Sequence, residues 1–366
     1  MKLNYTATIL AISILALVGV ESCKNDIDIF APEKDVTLIY GLLSVDDAVH
    51  QIKINRVFQG QDAIDKLAKD PKLSEYENLS ARLIELKDNG VGGFDTLQDW
   101  PLVERTISNK DSGYFYYPNQ KIYEATATLN NKYNYAVWVD KLDGSKIVES
   151  TTELIRMRGE ILKKPKPQSL NRIGLSLALN GKPLESIEIE MNLPFNAKVV
   201  DVYLDFTWHD EFYSGAADEY HTISYKVGTD VVANIPTQDS DQGIVKIDLI
   251  PSAFYQFIAA NAPVVPNGSD LKQRVAHDIP LKFRFIVGGN ELNTYVEVAS
   301  PSTSLLETKP EYTNVINGVG IFSCRSFSYK TSLMSKSSIE YLVNGEIMAG
   351  SKFCNYSNST STDYCF

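Results

Sequence analysis

The sequence predicts a mainly β protein built from two β-rich domains, with one or two short helices in the second. Twenty tyrosines and fifteen phenylalanines accompany many valine, isoleucine and threonine residues, and this composition favours strands over helices. Few windows show helical spacing of apolar residues. A chain of 366 residues suits two cores of about 100–200 residues each.

The first predicted domain, residues 35–160, begins with two β-rich runs. Residues 36–40 are almost continuously apolar. Residues 50–55 alternate, with Ile52 and Ile54 on one face and with Gln51, Lys53 and Asn55 on the other. Residues 62–68 have helical spacing and predict a short inserted helix, after which residues 81–86 return to strand alternation.

A hairpin is predicted near the end of this domain. Residues 129–139 and 147–152 have strand character, and the Asp143-Gly144 pair between them is typical of a tight turn. The Leu-x-x-x-Tyr-x-Tyr-x-Val spacing in the first strand resembles the penultimate strand of immunoglobulin-like and fibronectin III-like sandwiches. The resemblance implies that Tyr133 or Tyr135 hydrogen-bonds back to the backbone.

The second predicted domain covers residues 168–350, because the prolines of residues 163–168 interrupt regular structure. Strand patterns recur in this domain, and a helix is predicted at residues 253–260. A second hairpin is expected between residues 281 and 298. We expect residues 351–366, which are rich in serine, threonine and asparagine, to form a mobile tail. The strand patterns lie at residues 187–191, 199–208 and 222–227.

The amino terminus has the pattern of an export signal. Lys2 precedes an uncharged, mainly apolar run at residues 7–20, which is too short to span a bilayer. Ser22 and Cys23 then resemble the lipobox of bacterial lipoproteins. The resemblance implies a signal peptide at residues 1–22, acylation of Cys23 and a tether at residues 23–34, so that acyl chains attach the protein to the membrane. The alternative is a plain secretory signal in which Cys23 is incidental.

Residues 312–322 read YTNVINGVGIF. This stretch resembles the ending shared by cell-envelope lipoproteins of unknown function from Bacteroidota, and residues 40–43 and 288–295 resemble the same group. The resemblance implies a lipid-anchored protein of the outer membrane or cell surface that is not an enzyme. Gly318 and Gly320 indicate positive φ or a close backbone approach, in preference to a phosphate cradle.

Three cysteines remain after Cys23: Cys324, Cys354 and Cys365. In an oxidising compartment an odd number predicts one free thiol. Both a Cys354–Cys365 and a Cys324–Cys354 disulfide are possible. We favour the second, because both of its cysteines lie in apolar, strand-like contexts.

Two clusters are candidate sites. His209, Asp210, Glu211 and His221, with Asp218 and Glu219, contain metal-ligand types, and a hairpin could bring the histidines together around a divalent cation. The alternative is an acidic, solvated loop. Tyr114, Phe115, Tyr116 and Tyr117 could present aromatic faces to a sugar or peptide; alternatively they form a strand with alternate rings in the core.

Charge and motifs exclude several classes of function. The formal net charge of −11 and the lack of a basic stripe argue against a nucleic-acid partner. The sequence contains neither Gly-x-Ser-x-Gly nor His-Glu-x-x-His, and we expect no cofactor. The leading hypothesis is a non-catalytic lipoprotein that binds a protein or glycan partner, for example as an accessory to a transporter. The alternatives are a metal-dependent envelope hydrolase using His209 and His221, and a structural subunit of a surface polymer.

Overall fold

The structure is a computed structural model that describes residues 35–57, 62–166, 173–239, 241, 243–300 and 311–354. The predicted mainly β class is confirmed. The described strands form a ten-stranded sheet together with sheets of four, three and two strands, and the described helices are short. One continuous apolar core lies between these layers.

The N-terminal part forms a sandwich of two four-stranded layers. Strands β1, β2, β6 and β5 are neighbours in the large sheet, while the four-stranded sheet has the order β4-β3-β7-β8. Buried Ile52 of the first layer and Leu83 and Val137 of the second belong to the same core. The elements are β1 (Val36–Leu43), β2 (Val49–Val57), α1 (Ile64–Leu67), α2 (Pro71–Ser74), β3 (Ser80–Asp88), β4 (Phe94–Pro101), β5 (Val103–Ile107), β6 (Gln120–Thr126), β7 (Asn134–Asp140) and β8 (Val148–Glu153).

The predicted tyrosine corner is present at the start of β7. Tyr135 is fully buried, and its hydroxyl accepts a 2.7 Å hydrogen bond from the backbone N–H of Asn130. The same hydroxyl donates to the buried carboxylate of Glu85. Of the two tyrosines that the sequence allowed, Tyr135 is therefore the one that hydrogen-bonds back to the backbone.

The C-terminal part extends the large sheet with long strands. From β15 inward, the order is β15-β14-β17-β18-β1. Its elements are β9 (Leu162–Lys164), β10 (Ile173–Leu175), β11 (Ala178–Leu179), β12 (Lys182–Pro183), β13 (Ile187–Asn192), β14 (Val199–Phe212), β15 (Glu219–Val231), β16 (Ile244–Leu249), α3 (Pro251–Asn261), β17 (Leu271–Gly288), α4 (Asn290–Ala299), β18 (Gly318–Met334), α5 (Lys336–Asn344), a 3₁₀ turn (Glu346–Met348) and β19 (Phe353–Cys354).

The large sheet continues across the predicted domain boundary. Strand β1 pairs in parallel with β18, with Thr37 opposite Gly318 and Leu43 opposite Cys324. Around the boundary itself, the lysines at 163 and 164 belong to β9, which pairs with β13. The two predicted β-rich regions therefore share hydrogen bonds within one sheet.

The hairpin predicted at residues 281–298 is wrong in its second strand. Residues 290–299 form helix α4 instead. The backbone N–H of Asn293 donates to the carbonyl of Gly289, and the Asn293 side chain donates to Glu297 one turn later. Leu292, Thr294 and Val296 stand at every second position, and this spacing is typical of a strand. Val296 is nevertheless exposed, so this alternation does not mark a buried sheet face.

The predicted Cys324–Cys354 disulfide is also wrong. Cys324 is a buried free thiol on β18, and burial raises its pKa to about 12. Cys354 is disulfide-bonded. Cys324 lies opposite Leu43 of β1, whereas Cys354 pairs with Val275 of β17, so the two cysteines occupy different parts of the sheet. Cys365 and Cys23 lie outside the described residues.

The first residues of the predicted tail belong to the folded core. Phe353 and Cys354 form β19, which pairs with β17, and both are buried. Lys352 donates from Nζ to the carbonyl oxygen of Leu271 at 2.8 Å. The predicted tail thus begins too early; residues 355–366 lie outside the described part of the chain.

Candidate ligand-binding cavity

A cavity of about 540 Å³ lies on the outer face of β1 and β2. Its floor contains two directly opposed pairs, Leu38 with Asn55 and Tyr40 with Lys53. Successive strand residues point to opposite faces, so Ile39, between Leu38 and Tyr40, is buried in the core. The alternation noted in the sequence therefore assigns Lys53 and Asn55 to the face that carries the cavity.

The helical insertion between β2 and β3 forms one wall. Arg56 holds it through Nε to the carbonyl of Leu73 at 3.1 Å and through Nη2 to the carbonyl of Lys72 at 2.7 Å. Asn55 adds a 2.9 Å hydrogen bond from Nδ2 to the carbonyl of Ser74. Side chains of the strand thus fix the end of α2 against the cavity.

The connection between β5 and β6 forms the opposite wall. Two side-chain hydrogen bonds brace its base, from Ser108 to Asn119 at 2.6 Å and from Gln120 to Asn109 at 2.8 Å. The backbone N–H of Tyr116 donates to the carbonyl of Ala68 at 2.9 Å. This last bond joins the two walls, so the cavity is bounded by structure on both sides.

The predicted aromatic cluster lies in this second wall. Phe115 and Tyr116 line the cavity. Tyr114, Phe115 and Tyr117 are 76%, 55% and 47% exposed, and none of the four residues is in a strand. The interpretation of this run as a strand with alternate rings in the core is therefore wrong, and three of the four side chains are exposed at the surface.

Tyr40 provides a further ring on the floor. Its ring makes an edge contact with that of Tyr295, with centroids 6.2 Å apart, and its hydroxyl accepts a 3.2 Å hydrogen bond from the Tyr295 hydroxyl. Partial burial, followed by that hydrogen bond, raises the pKa of Tyr40 to about 12. Tyr40 is therefore a neutral, fixed hydroxyl at the edge of the cavity.

The cavity is electropositive. Lys53, Arg56 and Lys110 line it, against one carboxylate, Glu75, among the described lining residues. Partial burial lowers the pKa of Lys53, and the positive charge of Lys110 lowers it further, while Glu75 opposes the shift. Lys53 donates to the amide oxygen of Gln120 at 3.0 Å.

A second, more polar cavity of about 650 Å³ adjoins the first and shares Arg56 and Glu75 with it. Lys72, Tyr76, Glu77 and Lys141 contribute to its lining.

The predicted metal site is not assembled. In the β14–β15 ladder, His209 lies opposite Tyr220 and Trp208 lies opposite His221. Because alternate residues point to opposite faces, His209 and His221 are on opposite sides of the sheet. Each packs on an aromatic ring, with centroids 5.3 Å apart for His209 and Tyr220 and 5.0 Å apart for His221 and Trp208.

The acidic residues next to the two histidines are also divided between the two faces of the sheet. Asp210 lies 3.5 Å from Nε2 of His221, and Glu211 lies 3.7 Å from Nε2 of His209. Within the described residues, no group of three or more histidine, cysteine or acidic side chains could hold a metal ion. The prediction that His209 and His221 bind one cation is therefore wrong.

The sequence did not identify the cationic part of the cavity. Lys53 and Lys110 are 57 residues apart in the chain, and neither belongs to a recognisable motif. The polar face of β2 was visible in the alternation pattern. That pattern did not indicate which loop lies over this face.

Comparisons with known proteins give little further guidance. No protein-family model matches the chain, and no curated protein matches it. Among solved structures, the chain is similar to the C-terminal globular domain of an oligosaccharyltransferase from Pyrococcus abyssi, with 11% identity and a TM-score of 0.22. The match covers 69% of this chain and 47% of that chain, about half of its length. At this level of similarity the comparison supports no statement about function.

The lipidation prediction falls on a part of the chain that the structure does not describe. Cys23 and the residues before it lie outside the described ranges. Among the described helices, none has the length and apolar character needed to cross a bilayer.

Proposed function

We propose that this protein is a non-catalytic, lipid-anchored protein of the cell envelope that binds a glycan in the cavity on β1 and β2. The observation that carries the proposal is the exposed ring of Phe115 at a cavity whose lining mixes apolar and hydrogen-bonding groups. Binding sites of this kind combine apolar surface with a few placed polar groups. A sugar ring has one apolar face and a rim of hydroxyls, so it matches such a lining.

The arrangement of the cavity supports binding in preference to hydrolysis. Glycoside hydrolysis generally uses two carboxyl groups on either side of the scissile bond. Glu75 is the one carboxylate among the described lining residues, and its Oε1 accepts a 3.3 Å hydrogen bond from the backbone N–H of Lys121. Glu75 thus supports the wall, and the cavity presents hydrogen-bonding and stacking groups.

Attachment to the envelope rests on the lipobox resemblance at Ser22 and Cys23. Acylation of Cys23 would concentrate the binding cavity at a membrane surface. Labelling of cells with radioactive palmitate tests this step. Label should enter the wild-type protein and not a Cys23→Ser variant, whereas equal labelling of both would contradict acylation at Cys23.

Isothermal calorimetry against a panel of neutral and acidic oligosaccharides tests the binding function. Phe115→Ala should weaken binding about two- to tenfold, because an aromatic stacking contact contributes about 0.5–1.5 kcal/mol. Phe327→Ala is a matched control, since Phe327 is 40% exposed, lies beneath a cation and is not a lining residue. Failure of every oligosaccharide to bind, or equal weakening by both substitutions, would contradict the proposal.

A further inference from the structure

We infer that the ligand of this cavity is an acidic carbohydrate whose carboxylate binds between Lys53 and Lys110. This inference rests on the proposed glycan-binding function and adds the charge of the ligand to it. It depends on three features: both lysines line one cavity, neither has a carboxylate at ion-pair distance among the described residues, and Lys110 lies over an aromatic ring.

The two ammonium groups belong to different walls of the same space. Lys53 comes from the floor, on β2, and Lys110 from the connection between β5 and β6. The positive charge of Lys110 is close enough to lower the pKa of Lys53. Both side chains are partly buried, so their repulsion is less screened by water than on an open surface.

Neither lysine forms an ion pair within the described part of the chain. Other lysines nearby do, with Lys121 3.1 Å from Glu104 and Lys141 2.7 Å from Asp35. In a protein of formal net charge −11, carboxylates are abundant. Glu75 lines the same cavity and raises the pKa of Lys53, but it forms no ion pair with either lysine. Two partly buried lysines and Arg56 against this one carboxylate constitute a complementary site for an anion.

The position of Lys110 indicates what else the anion carries. Its Nζ lies 5.4 Å from the centroid of the Phe115 ring. The ammonium group therefore lies over one face of this ring, and a ligand that contacts the exposed part of Phe115 has a neighbouring substituent within its reach. A uronic acid has this geometry, because its carboxylate is attached directly to the sugar ring.

Hydrogen-bonding groups in the cavity suit the remaining hydroxyls. Asn55, Asn119 and Gln120 line the same cavity as the two lysines, and Lys53 donates to Gln120. Side-chain amides both donate and accept hydrogen bonds, as sugar hydroxyls do.

A matched pair of sugars tests the inference: α-1,4-linked trigalacturonate and the neutral α-1,4-galactotriose, titrated calorimetrically into the full-length mature protein. The acidic sugar should bind at least tenfold more tightly, and its affinity should fall as salt is raised, because the distinguishing contact is ionic. The neutral sugar should show little salt dependence.

Variants locate the contact. Lys53→Gln and Lys110→Gln should each reduce affinity for trigalacturonate about tenfold and reduce its preference over galactotriose. A thermal unfolding midpoint equal to that of the wild-type protein shows that the variants are folded. Lys282→Gln is the control, because Lys282 also lies over an aromatic ring, 4.5 Å from the centroid of Tyr329, but does not line the cavity.

The outcomes separate this inference from the proposed function. Equal affinity for the two sugars would overturn the inference and leave glycan binding intact. Binding of neither sugar, with no binding to the wider panel, would overturn both. If both lysine variants still bind trigalacturonate more tightly than galactotriose, the carboxylate binds elsewhere, and the inference is also overturned.

Discussion

The backbone of Gly320 lies against the carbonyl of Ile39 so closely that a Cβ atom on Gly320 would be 2.0 Å from the Ile39 oxygen. Gly320 also has a φ of +113°, a conformation that other residues rarely adopt. The contact lies within the parallel β1–β18 pair, where Ile39 is opposite Gly320. Since β1 carries the floor of the cavity, this approach connects the C-terminal glycine motif to the candidate site.

Gly320→Ala should lower the free energy of unfolding by more than about 3 kcal/mol, because overpacking against backbone adds to the strain of the positive φ. Urea denaturation measures the change. Gly268→Ala is a suitable control, since Gly268 has a φ of +83° and no atom near the position of its Cβ. It should cost about 1–2 kcal/mol, which is the cost of a left-handed conformation for a residue with a Cβ atom. If the two variants lose equal free energy of unfolding, the close contact between Gly320 and Ile39 adds nothing to the cost of the substitution.

This contact shows what the sequence could and could not indicate about the fold. The glycine motif predicts a close backbone approach, and the alternation in β2 predicts its buried face. The partner of β18 is β1, however, about 280 residues earlier in the chain. Local patterns specify strands and faces but not distant pairings, so the continuity of the large sheet was not predictable.

Tyr135→Phe should destabilise the protein by about 1–3 kcal/mol. The substitution leaves the backbone N–H of Asn130 without its hydrogen bond and the buried carboxylate of Glu85 without a donor. Tyr133→Phe is the internal control, because Tyr133 is half-buried and its hydroxyl has no hydrogen bond to the described residues. Thermal unfolding should show a clear loss for the first variant and little change for the second; the reverse order would contradict the assignment of the corner.

The two candidate clusters in the sequence illustrate why sites are harder to predict than strands. The histidines at 209 and 221 are near each other in the chain, yet strand alternation places them on opposite faces. The aromatic run at residues 114–117 offers no spacing signal, yet the loop that contains it carries Phe115 to the cavity. Proximity in sequence is therefore a weak guide to a site when the register of a hairpin is unknown.

Cys324 should resist alkylation in the native protein. Its thiol is buried and its pKa is raised to about 12 by burial, so the reactive thiolate is scarce at neutral pH. Iodoacetamide labelling followed by peptide mass spectrometry should modify Cys324 only after unfolding. Cys354, which is disulfide-bonded, should require reduction as well. Rapid labelling of Cys324 in the folded protein would contradict its buried position.

The lowered pKa of Lys53 predicts a pH dependence for the inferred acidic ligand. Burial, and then the charge of Lys110, make the ammonium form unfavourable in the free protein. The unfolded state therefore binds more protons between the lowered and the ordinary lysine pKa, and Lys53 contributes increasing stability as pH rises through that interval. A carboxylate bound beside Lys53 reverses this preference, because it favours the ammonium form.

Affinity for trigalacturonate should consequently decline as pH rises through the lowered pKa of Lys53, while affinity for galactotriose stays constant. In the same alkaline range, binding of the acid should be accompanied by proton uptake. Calorimetry in two buffers of different ionisation enthalpy measures that uptake directly. In Lys53→Gln the contribution of this residue to the uptake should vanish, since the glutamine amide does not titrate. Uptake that is unchanged in Lys53→Gln would mean that another group takes up the proton, and Lys53 would then not contact the carboxylate.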